Sequence, residues 1–154
     1  SCSLPAITRR RQQAFVLQEV PQAGQLRGRF VPQVRSHWVV DINEVKAQKD
    51  LPGVVLIDSR ESDRYRGDRE PIDPIAGHIP GAVNYPWTEI LDADGYFQPE
   101  ALQQQRWAAH LADRLWVYCG SGVTACVNLL SLEAAGIADA KLYAGSWSDW
   151  CSYL

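Results

Sequence analysis

The chain has 154 residues, 46% of them apolar and 21% charged, with a formal net charge of −3. That length holds one domain of ordinary size, which buries roughly 70% of its unfolded surface, and the composition is that of a soluble globular protein. The slight acidity argues against a nucleic-acid-binding surface, no apolar run reaches the roughly 20 residues of a membrane span, and four cysteines are too sparse for a disulfide scaffold.

Residues 1–36 read as an N-terminal arm or linker. Pro5, Pro21 and Pro32, with Gly24 and Gly28, interrupt a basic, Gln-containing stretch that sustains neither a helical nor a strand period. Within it, Ala14-Phe15-Val16-Leu17 is a candidate apolar strand or packing arm. The chain contains no Met, so Ser1 is not a translation start and the sequence reads as processed or as a piece of a longer protein. Arg9, Arg10 and Arg11 lead into Gln12 and Gln13 without the apolar core of a secretory signal, so the expected location is cytoplasmic.

From residue 37 to 154 strands and helices alternate. Trp38-Val39-Val40 predicts a short strand, and Asp41 caps a helix over 43–48. Val54-Val55-Leu56-Ile57 is the continuous apolar run of a parallel strand covered on both faces. Val83 marks a further strand, and Pro99 opens a helix over 100–112. Leu115-Trp116-Val117-Tyr118 predicts the next buried strand, and a Gly-rich loop then leads into a helix that ends at Ala135 with Gly136 as its left-handed stop. Lys141-Leu142-Tyr143 predicts the last strand, and 147–151 a terminal helix. The alternation implies an α/β domain with a mostly parallel sheet, five-stranded by this count, and helices on both faces. Chemistry in such sheets lies beyond the carboxyl ends of the strands, which singles out Asp58-Ser59-Arg60 and Cys119.

Cys119 directly follows a buried strand, in the stretch Cys119-Gly120-Ser121-Gly122-Val123-Thr124-Ala125. The glycines let the backbone curl so that successive N–H groups face one centre, and the helix that follows adds its positive end. A sulfur placed there is expected to be a stabilised thiolate, because such surroundings lower a cysteine pKa. The same cradle suits a persulfide or an incoming anion. A merely buried cysteine at a strand end needs no such loop.

This loop resembles that of the rhodanese-type sulfurtransferases, in particular the 3-mercaptopyruvate branch, over about residues 24–154. Ile57-Asp58-Ser59-Arg60, Gly77-His78-Ile79-Pro80-Gly81-Ala82-Val83-Asn84, Pro86-Trp87-Thr88-Glu89 and Tyr143-Ala144-Gly145-Ser146-Trp147-Ser148-Asp149-Trp150 carry the resemblance further. It implies the three-layer rhodanese fold and the second, catalytic domain of a tandem pair, with residues 24–36 as the interdomain linker and the N-terminal partner domain lying outside this sequence. It also implies double displacement without a cofactor or metal. Cys119 takes sulfur from a small anionic donor, 3-mercaptopyruvate or thiosulfate, becomes a persulfide and passes the sulfur to a thiol or cyanide. Ser121 matches the loop serine that assists proton balance, or else it caps the following helix. Arg64 matches the arginine that holds the donor anion, and Gly120, Gly122, Val123 and Thr124 form the donor cradle. Mercaptopyruvate members carry a second arginine before the Gly-His-Ile-Pro-Gly motif. Here the shorter stretch Asp68-Arg69-Glu70-Pro71-Ile72-Asp73-Pro74 puts Ile72 at that place, with Arg66 and Arg69 as nearby substitutes. Thiosulfate members have basic residues just after the cysteine, where this chain has Gly120 and Ser121.

Other features read as structural. Asp58 and Arg60 are expected to form an ion pair bracing the loops, and His78 to be a satisfied turn histidine. The mixed charges from Arg60 to Glu70, Arg64 aside, read as a solvated face. Asp92-Ala93-Asp94-Gly95 fails as a calcium loop, since Phe97 and Gln103 fall where glycine and glutamate are needed, and it suffices as a turn. Cys119 and Cys126 lack zinc-site spacing. Cys126 and Cys151 read as packed or incidental thiols and Cys2 as part of the tail. The six tryptophans are mostly core, with Trp87 and Trp147 as weak candidates for a pocket wall. A cysteine phosphatase or arsenate reductase needs an arginine six positions after its cysteine, and Ala125 stands there. A non-catalytic rhodanese-like binding module is the remaining alternative, and the intact Cys119 loop argues against it.

Overall fold

A computed structural model of the chain describes residues 31–33 and 35–154. The candidate arm at Ala14–Leu17, Cys2 and the turn residues before position 31 lie outside the described residues. In chain order the elements are β1 (Val39–Val40), α1 (Ile42–Gln48), β2 (Val54–Asp58), α2 (Ser62–Arg66), β3 (Val83–Asn84), α3 (Glu100–Trp107), β4 (Arg114–Tyr118), α4 (Ala125–Ala134), β5 (Lys141–Tyr143) and α5 (Ser146–Cys151). Single 3-10 turns occupy Ser36–Trp38, Trp87–Ile90 and Ala108–His110. The strands form one sheet in the order β1-β5-β4-β2-β3, and every pairing is parallel.

Period-2 alternation along the central strands separates the core into two faces. Leu56, Trp116 and Tyr118 point to one face, where they meet Val45 of α1 and Trp147, Trp150 and Cys151 of α5. Ile57, Leu115 and Val117 point to the other, where they meet Trp107 of α3 and Ala125 and Leu132 of α4. This is a three-layer α/β domain, as the alternation of elements predicts. The apolar run 54–57 is strand because both of its faces are covered.

Local chemistry sets the element ends. Asp41 Oδ1 accepts from the amides of Asn43 and Glu44 at 2.8 and 2.9 Å, and the Glu44 carboxylate accepts from the Asp41 amide at 3.2 Å, a complete capping box. At the far end of α4, Gly136 is left-handed with φ +89°. Its amide donates to Glu133 O and the Ile137 amide donates to Leu132 O, the paired bonds of a Schellman stop.

Two sequence expectations need correction, and one element has no counterpart among them. The helix begun by Pro99 ends at Trp107, short of 112: Trp107 is fully buried, its indole N–H donates to Ser131 Oγ of α4 at 2.8 Å, and the chain then tightens into the 3-10 turn. The short helix α2 has no signal in the apolar pattern, since its five residues are Ser-Asp-Arg-Tyr-Arg. Nor is the segment from Arg60 to Glu70 a solvated face throughout, because the side chains of Arg60 and Glu70 are 1% and 4% exposed.

The Gly-His-Ile-Pro-Gly turn ties the layers together. Gly77 O accepts from Arg60 Nη2 at 2.7 Å, and the Ile79 amide donates to the Tyr118 hydroxyl at 3.2 Å. His78 stacks on Tyr65 and its Nδ1 contacts Tyr65 O at 2.7 Å, so this histidine is structural as expected. Asp92 Oδ1 accepts from the amides of Asp94 and Tyr96, forming the expected Asp-Gly turn. Trp147 is core, its indole N–H donating to Ile75 O. Trp38, by contrast, is nearly half exposed.

Candidate active site

β2 and β4 are neighbours whose onward connections leave in opposite directions, β2 to β3 and β4 to β5. A crevice opens beyond their carboxyl ends at such a switch point. The loops that leave there are stitched together. The Ser59 amide donates to Tyr118 O at 2.8 Å and the Trp87 amide to Ser59 O at 3.0 Å, while Asn128 of α4 donates to Ser59 Oγ and to Tyr85 O.

Cys119 is the first residue after β4 and is 2% exposed. It packs with Ala125 and Leu132 on the α4 face, and it also lines a cavity of about 180 Å³. Gly120, Ser121, Val123 and Thr124 of the loop share that cavity, and Arg64, Ile72 and Ser148 reach it from outside the loop. Among the described residues none accepts from the amides of Gly120, Ser121, Gly122, Val123 or Thr124. Five unpaired donors therefore precede the first turn of α4, which carries no side-chain cap on Thr124 and adds its own positive end. The Ser121 hydroxyl finds no partner among the described residues, so the helix-capping reading of this serine is not realised.

The two loop glycines differ. Gly122 has φ +80°, and a β-carbon there would stand 2.6 Å from Ala144 O. It does not line the cavity; it makes the turn. Gly120 would tolerate a β-carbon at ordinary contact distance, 3.5 Å from Arg64 Nη1, so its bareness keeps the way to the guanidinium open.

Behind the loop stands Ser146, fully buried, with φ +57°. Its Oγ accepts from the Cys119 amide at 3.1 Å and donates to Tyr143 O at 2.9 Å. The Trp147 and Ser148 amides donate to the carbonyls of Cys119 and Gly120. The start of α5 thus holds the base of the loop from below. Neither the Ser146 strain nor this contact has a signature in the sequence.

Arg64, which lines the cavity, belongs to an ionic network whose other members do not line it. Asp58 Oδ2 meets Arg60 Nη2 at 2.6 Å, Arg60 Nη1 meets Glu70 Oε2 at 3.2 Å, and Arg64 Nη2 meets Glu70 Oε1 at 2.6 Å and Asp73 Oδ2 at 3.6 Å. All five side chains are buried. The Asp58–Arg60 pair was expected; its extension through Glu70 to Arg64 and Asp73 was not. Burial pulls the Arg60 guanidinium down, but the hydrogen bonds and charge of Asp58 outweigh it and the net shift is upward. Burial likewise pushes the Glu70 carboxyl up, and hydrogen bonds from Arg64 and from the amides of Asp73 and Ile72 outweigh it, leaving Glu70 below its ordinary value. Burial, followed by the Asp58 charge, raises the Tyr118 phenol well above its usual range, so it stays a neutral acceptor for the Ile79 amide.

Arg66 and Arg69 pair with Asp68 and Asp63 on the exposed surface and do not line the cavity, whereas Ile72 does. Cys126 is exposed, and burial of its sulfur, then the neighbouring Cys119, push its thiol up.

The rhodanese-like domain family matches residues 41–153. A probable 3-mercaptopyruvate sulfurtransferase of Pseudomonas aeruginosa is 47% identical over 127 residues, which cover 80% of this chain and 45% of that protein. A putative thiosulfate sulfurtransferase, SseB, of Mycobacterium tuberculosis is 47% identical over 108 residues, covering 68% of this chain and 38% of the relative. The chain spans less than half the length of these curated relatives. In fold it is similar to the anaerobic ergothioneine biosynthesis enzyme of Chlorobium limicola, with a TM-score of 0.70 at 22% identity over 77% of this chain and 31% of that one. With the sheet order, the loop after β4 and a family match over most of its length all in agreement, this chain belongs to the rhodanese-like domain family.

Proposed function

We propose that the protein is a sulfurtransferase in which Cys119 carries the transferred sulfur as a persulfide. The observation that carries this reading is a cysteine at the wall of a small cavity that it shares with Arg64, at the head of a loop whose five amides from Gly120 to Thr124 find no acceptor among the described residues. The names of the two relatives, one for 3-mercaptopyruvate and one for thiosulfate, support the same chemistry.

The Cys119 thiolate attacks the outer sulfur of the donor, and the donor's own bond to that sulfur breaks. From 3-mercaptopyruvate the leaving group is the pyruvate enolate, which takes up the proton of the former thiol at carbon; Ser121, with its uncommitted hydroxyl at the cavity, is the group that passes it. From thiosulfate the leaving group is sulfite. The terminal sulfur then bears the negative charge, and the loop amides stabilise it. A thiol or cyanide removes that sulfur and restores the thiolate. Arg64 offers Nη1 to the donor anion, its other nitrogens being engaged by Glu70. A helix starting with buried Ala125 has no arginine for a phosphoryl group, which speaks against phosphatase chemistry.

The preceding N-terminal domain of a tandem pair, joined through residues up to 36, is part of this proposal, and the donor pocket is completed by it. Incubation with 3-mercaptopyruvate or thiosulfate followed by intact-protein and peptide mass spectrometry tests the reading. The expected result is a gain of about 32 Da, one sulfur atom, on Cys119, absent in Cys119→Ser and removed by cyanide. Sulfur transfer persisting at full rate in Cys119→Ser overturns it.

A further inference from the structure

The five side chains behind the cavity form an alternating ladder, Asp58–Arg60–Glu70–Arg64–Asp73, with a carboxylate at each end. Three acids and two bases carry a formal charge of −1. Arg64, the one cationic side chain at the cavity among the described residues, is therefore more than neutralised by what holds it. Glu70 takes its Nε at 3.3 Å and its Nη2 at 2.6 Å, and Asp73 adds a second carboxylate whose Oδ2 is buried without a hydrogen bond. Only Nη1 is left, and it faces Gly120. Among the described residues no other cationic side chain lines the cavity, and Ile72 supplies an apolar patch of wall.

Such a site treats one and two negative charges differently. A single anionic group is satisfied by the loop amides and Nη1, which are dipoles and one donor. A second charge finds no further side-chain cation among the described residues of this chain's share of the pocket, and it meets the excess carboxylate of the ladder. At an effective permittivity of about 20, one unit of charge set back roughly 12 Å behind a cavity wall changes the affinity for one additional ligand charge by about tenfold. We infer that Asp73, acting through the buried ladder that holds Arg64, is a specificity-determining residue that makes the cavity select singly charged sulfur donors, of the 2-oxo-carboxylate class, over doubly charged ones. The inference rests on the sulfur-transfer reading for the identity of the donors, but the charge selection belongs to the cavity itself.

The test compares wild type with Asp73→Asn, which keeps the shape and removes one charge, and with Asp73→Glu, which keeps the charge. Asp73→Ser serves if the asparagine variant does not fold. Two ratios are read. The first is the rate of Cys119 persulfide formation from thiosulfate over that from 3-mercaptopyruvate. The second is the rate of Cys119 alkylation by iodoacetate over that by iodoacetamide, which needs no sulfur transfer. Asp73→Asn is expected to raise each ratio about tenfold, since each compares ligands that differ by one unit of charge, and Asp73→Glu to leave both within twofold. A folded, charge-removed variant with both ratios unchanged overturns the inference. If the wild type forms no persulfide with either donor, the sulfur-transfer reading fails, and the alkylation ratio alone then decides whether the ladder selects by charge.

Discussion

Gly122 and Ala144 are in backbone contact: a β-carbon on Gly122 would lie 2.6 Å from the Ala144 carbonyl oxygen. The left-handed φ of +80° at Gly122 adds a second penalty for any side chain, of about 1 kcal/mol or more. Both conditions come from the same cause. The loop after β4 must double back against the end of β5 before α4 begins.

Gly122→Ala is therefore expected to displace the loop instead of merely straining it, since the obstructing atom is backbone. Persulfide formation at Cys119 should fall at least about a hundredfold, the scale seen when groups are misplaced by an ångström. Gly120→Ala, with ordinary contacts to Arg64, should keep a folded loop and lose donor affinity more than turnover. Steady-state kinetics of the two variants side by side check this, with a thermal melt to confirm that both fold.

Much of this arrangement was legible in the residues. The apolar runs at 54–57 and 115–118 place the central strands, and a cysteine between a buried strand and a Gly-Ser-Gly turn is hard to explain as packing. The ionic ladder was not legible, because charged residues from Arg60 to Asp73 look the same in a string whether they face water or each other. The Glu70 carboxylate is closed in by Arg60, Arg64 and the amides of Ile72 and Asp73, and Arg60 is itself held by Gly77 O, a contact 17 residues distant in sequence. The brace from Ser146 escaped for a related reason: a serine with positive φ carries no compositional signal, unlike a glycine.

Glu70 gives a pH dependence with a definite sign. Its folded-state carboxyl titrates below the unfolded value because Arg64 and two amides outweigh desolvation. A depressed folded pKa contributes stability that is fully present above the unfolded value of about 4.3 and is lost as pH falls through the folded value. The wild type should thus be more stable than Glu70→Gln at pH 6, by about 3 kcal/mol if the ladder behaves like other buried ion pairs. That advantage should shrink steadily below pH 4. Urea melts of both proteins at pH 6, 4 and 3 check it, and a gap that stays constant across the series would mean that Glu70 is not the titrating partner.

Ile72 stands in the cavity wall and is largely exposed, so the position accepts a long side chain without repacking. Ile72→Arg adds a cation at the wall in front of a ladder whose formal charge is −1. The KM for 3-mercaptopyruvate should fall about five- to tenfold with kcat changed less than twofold, because the added charge acts on the bound anion and not on the sulfur being transferred. The KM for thiosulfate should fall further still, since each of its two charges gains. Raising the ionic strength to 0.5 M should erase most of both effects, as screening requires for a solvent-accessible charge.

Ser146 separates backbone strain from hydrogen bonding at the base of the loop. Its left-handed φ costs a non-glycine residue about 1 kcal/mol, while its Oγ satisfies the buried Cys119 amide. Ser146→Ala keeps the strain and leaves that amide unpaired, at about 1–3 kcal/mol; Ser146→Gly leaves the amide unpaired but relieves the strain. The glycine variant should therefore melt above the alanine variant by several degrees while both fall short of wild type. In sulfur transfer the two should be alike, each reduced about tenfold, because what the loop loses in both is the anchor on the Cys119 amide. If the alanine variant instead keeps full activity, the position of Cys119 is held by the Trp147 and Ser148 amides alone, through their bonds to the Cys119 and Gly120 carbonyls.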